Sequence, residues 1–252
     1  MRDLSVYRVL AETFRLYRAV LPIAVGLVAI VYLPVYVLAA WPHHDRPDSL
    51  SDPLLYGPLW GSRLAMGVGP YLQVLLGPLS TAPLLTALSL AARGERPTWR
   101  AALRGLRRSG SLLLTYLAVA PFLLIGALFL VWPAVYFALC YCLIQPVAVL
   151  EGRGPWAALH RSETLTEGYR LRILGIFLIL LAGVFWAGCA FSGVVWFGPA
   201  WLTGPLTPVV AQFLLRLVGG GLLVTATFAV YRELQLPRED SGRGFSPAQD
   251  GG

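Results

Sequence analysis

Four stretches of this chain, 19–44, 64–92, 109–150 and 173–215, contain no charged side chain. About 20 helical residues cross a hydrocarbon core of roughly 30 Å, so runs of this length read as membrane spans. The chain is 57% hydrophobic and 13% charged, against about a quarter charged for soluble domains. Too few charges remain to cover a soluble surface. The expected fold is an all-α polytopic membrane bundle.

Six spans account for the pattern: about 19–40, 64–92, 111–131, 133–150, 173–197 and 207–231. The uncharged run 109–150 would extend roughly 63 Å as one helix at helical rise, which is two crossings. Trp132-Pro133 is the natural turn between them. Gly198-Pro199 and Thr203-Gly204-Pro205 separate the last two spans. The first apolar run follows a segment carrying Asp3 and Glu12 and outlasts a signal h-region, so it reads as a retained helix.

The cations orient the spans. All 20 are arginine, a usage that fits a GC-rich bacterial genome. Arg2, Arg8, Arg15 and Arg18 precede span one. Arg93, Arg96, Arg100, Arg104, Arg107 and Arg108 lie between spans two and three. Arg153, Arg161, Arg170 and Arg172 lie between four and five, and Arg232, Arg238 and Arg243 follow six. Only Arg46 and Arg63 fall on the opposite side. The positive-inside rule then places both termini in the cytoplasm, as in a multi-pass protein of the inner membrane. The net charge of +7 is explained by the bilayer, and no nucleic-acid partner is expected.

Each odd-numbered span follows a basic amphipathic stretch. Residues 1–18 alternate Leu4, Tyr7, Ala11, Phe14 and Tyr17 with Arg8, Glu12 and Arg15 at helical spacing. In the second stretch Trp99, Ala102, Leu103 and Leu106 oppose Arg100, Arg104, Arg107 and Arg108, with Pro97 suited to the first turn. In the third, Pro155-Trp156-Ala157-Ala158-Leu159 echoes Pro97 to Leu103, and Thr164 and Glu167 have capping-box spacing for the next helix. The chain reads as three units of amphipathic helix plus hairpin. Such helices lie in the headgroup region, where Arg100, Arg104, Arg107 and Arg108 are candidate contacts to anionic lipid, each worth about 1 kcal/mol. Ordinary positive-inside loops would carry the same charges.

Residues 146–174 read PVAVLEGRGPWAALHRSETLTEGYRLRIL. Glu151-Gly152, then Ala158-Leu159-His160-Arg161-Ser162 through Leu165 and Gly168, resemble the membrane domain of the glycerophosphoryl diester phosphodiesterase family and related bacterial six-span proteins of unknown function. There a span ends in an E-G pair, and a short A-L-x-R-S-x-x-L-x-x-G helix follows. Tyr231-Arg232-Glu233-Leu234 resembles the family's terminal Y-x-D/E-L element. The resemblance covers most of the chain in layout but about 35 residues in motif. It implies the six-span fold and no catalytic residue. His160-Arg161 lacks the glycine of the family's catalytic H-R-G, and no metal-binding carboxylate motif follows. Residues 237–252, polar and rich in Gly, Ser and Asp, are expected to form a disordered cytoplasmic tail rather than the soluble barrel that follows in some relatives.

Arg216 is the one cation inside a span, where an arginine costs roughly 2.5–3.5 kcal/mol on insertion scales. It shares a helix face with Gln212, Gly219, Gly220, Leu223 and Thr227. No acid lies in any span, so Gln145, Gln73 or backbone carbonyls are its candidate partners. Three roles stay open: snorkelling outward, a structural tie, or binding a substrate or lipid headgroup. Glu151 can pair with Arg153 or Arg161 at the cytoplasmic mouth, to hold the turn or to meet a ligand. His43, His44 and Asp45 read as a solvated loop, and Trp41, Trp60, Trp132, Trp196 and Trp201 as an outer aromatic belt. Cys140, Cys142 and Cys189 read as small apolar residues. The prolines of spans one to three imply kinks.

The expected function is non-catalytic: a lipid-interacting or partner-organising membrane module with no cofactor and no metal, in contact with anionic headgroups and with a protein partner or a second copy. The alternative is a small transporter or permease subunit with a site near Arg216. No nucleophile–base pair, zincin motif or phosphate loop points to an enzyme.

Overall fold

A computed structural model describes residues 5–40, 69–128, 131–197 and 207–243. Among these every regular element is helical, with no strand. The helices in chain order are α1 (Val6–Ala40), α2 (Gly69–Ala92), α3 (Trp99–Leu103), α4 (Ser109–Leu128), α5 (Val131–Tyr141), α6 (Ile144–Pro146), α7 (Pro155–Thr166), α8 (Arg170–Phe197), α9 (Thr207–Leu215) and α10 (Gly221–Arg243). A 3-10 turn over Arg104–Arg108 joins α3 to α4, and wide π turns over Val147–Glu151 and Arg216–Gly220 follow α6 and α9. Among the described residues three helical segments, Val6–Val35, Arg170–Phe191 and Phe213–Gln235, are long and apolar enough to cross a membrane.

Several boundaries differ from those expected. The amphipathic segment through Arg18 and the span after it are one continuous helix, α1, because Val9, Leu16, Val20 and Ile23 form one buried stripe across the boundary. In the long uncharged run α4 is described to Leu128 and α5 from Val131, so Pro133 lies in the first turn of α5. Span four is itself divided at Cys142-Leu143. Thr98 takes the N-cap of α3, leaving Pro97 just outside it.

The capping box at Thr164 does not form. Thr164 Oγ1 donates to the His160 carbonyl inside α7 instead, since the helix runs on to Thr166 before turning at Gly168. α10 continues through Pro237 to Arg243, so the first part of the expected disordered tail is helical. A helix anchored upstream by ion pairs propagates at little cost. Residues 244–252, the His43-His44-Asp45 loop, Trp41, Trp60 and Trp201, and the side chains of Trp132, Trp196, Gln73 and Gln212 lie outside the described residues.

The core runs between α1, α2, α4, α6 and α10, where Val20, Leu85, Leu88, Leu112, Leu143, Val147 and Val230 are fully buried. α8 buries Ile173, Ile176 and Leu180 on one face and exposes Leu171, Leu178, Phe185 and Trp186 on the others. That is how a helix meets lipid, which is as apolar as its own side chains.

The ends of α1 and α10 meet through Arg232–Glu12 at 2.9 Å and Arg8–Glu233 at 3.4 Å. The N-terminal end of α1 and the stretch of α10 around Arg232 therefore lie at the same end of the bundle. Partly exposed ion pairs of this kind add little stability; they set register.

Candidate functional site

Two polar clusters stand out against the apolar bundle. The first surrounds Arg216. Residues Arg216 to Gly221 read RLVGGG, and three consecutive glycines weaken an α-helix by about 1 kcal/mol each relative to alanine. The backbone widens here into the π turn, a form that recurs at functional sites. Gly221 leaves room for the ring of Tyr17, because a Cβ there would lie 2.7 Å from Tyr17 Cε2.

The Arg216 stem lies along Gly220. Its guanidinium sits 4.4 Å from the centre of the Tyr32 ring, and Nη2 donates to the Tyr32 hydroxyl at 2.5 Å. A cation over an aromatic face contributes about 2 kcal/mol when desolvated. Tyr32 is 3% exposed, and Arg216, half-buried, is tied to it. Of the three expected roles the geometry provides a tie, and it provides a cavity as well.

That cavity has a volume of about 490 Å3. Arg216, Tyr32, Ser80, Thr81, Tyr116 and Gln145 form its polar wall. Tyr32 and Ser80 hydroxyls are 3.4 Å apart, and the Tyr116 hydroxyl lies within reach of Thr81 and Gln145 and near Tyr32 and Arg216. The six polar groups thus form one patch, drawn from α1, α2, α4, α6 and the π turn. Gln145 Oε1 is buried with no hydrogen-bond partner. Ala24, Leu27, Val28, Leu84, Leu223 and Val224 make up the apolar remainder.

The second cluster centres on Glu151. Its carboxylate receives Arg153 Nε at 2.6 Å and lies 3.5 Å from Arg161 Nε. It also accepts hydrogen bonds from the Tyr231 hydroxyl and Gln235 Nε2, both at 3.0 Å. The motif residues around it now have physical roles. Gly152 at φ +65° and Gly168 at φ +81° turn the chain on either side of α7, a conformation glycine adopts without steric cost. Buried Ser162 donates to the Cys140 carbonyl at 2.7 Å, locking α7 onto α5.

Glu151 and Arg161 therefore stand together, as expected, but apart from Arg216. Tyr231 lies 15 residues beyond Arg216, roughly 22 Å along the helix at 1.5 Å per residue. Gln212 lies one turn before Arg216 on the backbone of α9.

The arginines of the α3 segment divide. Arg100, Arg104, Arg107 and Arg108 are all exposed, but they differ in what they hold. Arg108 donates to the Val149 carbonyl and, at 3.3 Å, to the Leu150 carbonyl. It thus caps the end of the π turn after α6, where carbonyls lack helical partners. The expected apolar stripe is also redistributed. Ala101, Ala102 and Gly105 face the bundle, while Trp99, Leu103 and Leu106 are exposed.

Tyr32, Tyr116, Ser80 and Thr81 were not legible as site residues. Tyrosines and hydroxyls in apolar runs are common, and only packing against Arg216 distinguishes these. Among the described residues no group of three or more His, Cys, Asp or Glu gathers to hold a metal. Compared with protein-family models, curated proteins and solved structures, the chain matches none.

Proposed function

We propose that this is a non-catalytic, multi-pass protein of the bacterial inner membrane, six-span and with both termini cytoplasmic, that binds an anionic ligand from the membrane inside its bundle at Arg216. The observation that carries this reading is the pairing of a permanent cation with a cavity. Arg216 faces about 490 Å3 of space, and no acid among the described residues lines that space to balance it. An anionic guest supplies the missing charge. The resemblance to the membrane domain of the phosphodiesterase family is consistent with the layout, and the meeting of the start of α1 with the Arg232–Glu233 part of α10 fits an even number of crossings. Exposed Arg100, Arg104 and Arg107 add a surface for anionic headgroups at the cytoplasmic face, the lipid-interacting role expected of the module.

Native mass spectrometry of the purified protein tests this. The wild type is expected to retain anionic species, and Arg216→Gln to retain at least about tenfold less, a loss of about 1.4 kcal/mol. Equal retention overturns the reading. Reporter fusions after His44 and after Arg243 test the topology, with opposite sides expected.

A transporter or permease subunit is the second reading. It is favoured by the irregular backbone at Cys142-Leu143 and at the two π turns, since broken helices frame binding sites in transporters. Uptake of a labelled anion into proteoliposomes, lost in Arg216→Gln, would support it over simple binding.

A further inference from the structure

The cavity at Arg216 is polar on one side and apolar on the other, and this division specifies its guest. The inference rests on the reading of Arg216 as an anion site. The polar patch is continuous, because Arg216 reaches Tyr32, Tyr32 reaches Ser80, and Tyr116 faces Thr81 and Gln145. Gln145 Oε1 is buried there without a partner. An unpaired buried acceptor costs about 1–3 kcal/mol and only a donor satisfies it, so Gln145 marks the polar end of the cavity without selecting an anion.

The rest of the lining carries no polar side chain. Ala24 and Leu27 lie one to two turns from Tyr32 toward the α1 N-terminus. Leu223 and Val224 lie two turns beyond Arg216, and Leu84 one turn beyond Ser80. Because α1 runs antiparallel to α2 and α10, these residues gather at the same end of the cavity, the end nearer the start of α1. A small ion would leave this end empty, and bare apolar space is not offset by any contact.

Charge and volume narrow the class further. One guanidinium and no carboxylate match one negative charge. About 490 Å3 falls in the range of roughly 300–1,000 Å3 that encloses a single small ligand, enough for one acyl chain. We infer that the cavity binds a monoanionic, single-chain amphiphile, its head on Arg216 and the hydroxyl patch and its chain against Leu27, Leu84 and Leu223. A carboxylate supplies that head by accepting from the guanidinium fork; a phosphate monoester accepts in the same way but carries about −1.5 to −2 charge at pH 7.

Binding of radiolabelled decanoate to the full-length protein in zwitterionic nanodiscs, corrected for empty discs, tests the inference. Competition by decyl phosphate separates the two heads. Decanoate and decyl phosphate are expected to compete. Decanol, decyltrimethylammonium and inorganic phosphate are each expected to be at least about tenfold weaker. If inorganic phosphate competes as well as decyl phosphate, the chain contributes nothing and the amphiphile is refuted, while the anion site stands. If decanol competes as well as decanoate and Arg216→Gln binds like wild type, both fall. The competition series uses the wild-type protein, so it decides the matter even if Arg216→Gln fails to fold. Leu84→Trp, which fills the apolar end, is expected to weaken decanoate binding about tenfold or more; unchanged binding would overturn the assignment of the chain to that end.

Discussion

The Tyr17 hydroxyl donates to the Leu217 carbonyl at 2.8 Å, inside the π turn that presents Arg216. The bond spans 200 residues of sequence. It joins the N-terminal half of α1 to the element that carries Arg216. Widening a helix weakens its own hydrogen-bond ladder, and Tyr17 replaces part of what is lost.

Tyr17→Phe is therefore expected to lower stability by about 1 kcal/mol, the net worth of one such bond. Gly221→Ala is expected to cost about 1–3 kcal/mol by driving a Cβ into the Tyr17 ring. The two effects act on one contact, so the double variant is expected to cost less than their sum. Thermal unfolding in detergent checks both; strict additivity would mean that the contact contributes nothing.

Glu151→Ala is expected to destabilise more than Glu151→Gln. Alanine leaves Arg161, Tyr231 and Gln235 without their shared acceptor, whereas glutamine keeps one acceptor oxygen. The Glu151 side chain is 15% exposed, and hydrogen bonds to charged groups are worth about 1.5–3 kcal/mol. Protease accessibility near Gly154 should rise with the loss. A Glu151→Ala protein as stable as wild type would remove the case for this cluster as the tie between α7 and α10.

Gly105→Ala is expected to cost about 1–3 kcal/mol. A Cβ at Gly105 would lie 2.6 Å from the Ala82 carbonyl oxygen and 2.5 Å from Thr86 Oγ1. Backbone cannot swing aside as a side chain can, so the 3-10 turn must lift off α2. A fall in melting temperature, with Gly110→Ala as the control in open space, is the measurement.

Replacing Arg100, Arg104 and Arg107 together by glutamine is expected to weaken association with anionic liposomes by up to about 3 kcal/mol, at about 1 kcal/mol per cation, and to leave folding intact. Arg108→Gln is expected to do the reverse, lowering stability by removing the cap on Val149 and Leu150 while changing flotation little. If all four positions behave alike, the division between headgroup contacts and a structural cap is wrong.

The helical class and the apolar segments were legible in the chain because they depend on local composition. A charge-free run of 20 residues has few folded fates, and arginine clusters mark run ends without reference to any partner. The oddity of Arg216 was legible for the same reason, and so was the pairing of Glu151 with Arg153 and Arg161, which lie within ten residues of it. What Arg216 meets was not. Tyr32 lies 184 residues away, and nothing in its own neighbourhood sets it apart from the other tyrosines of the apolar runs. Tertiary packing decided that this ring lies under the guanidinium, that Arg108 bonds carbonyls of a distant turn, and that six polar groups from five parts of the chain line one cavity. Those outcomes depend on which helix faces meet, and side-chain contacts between distant segments are set by shape and register rather than by any periodicity within a segment.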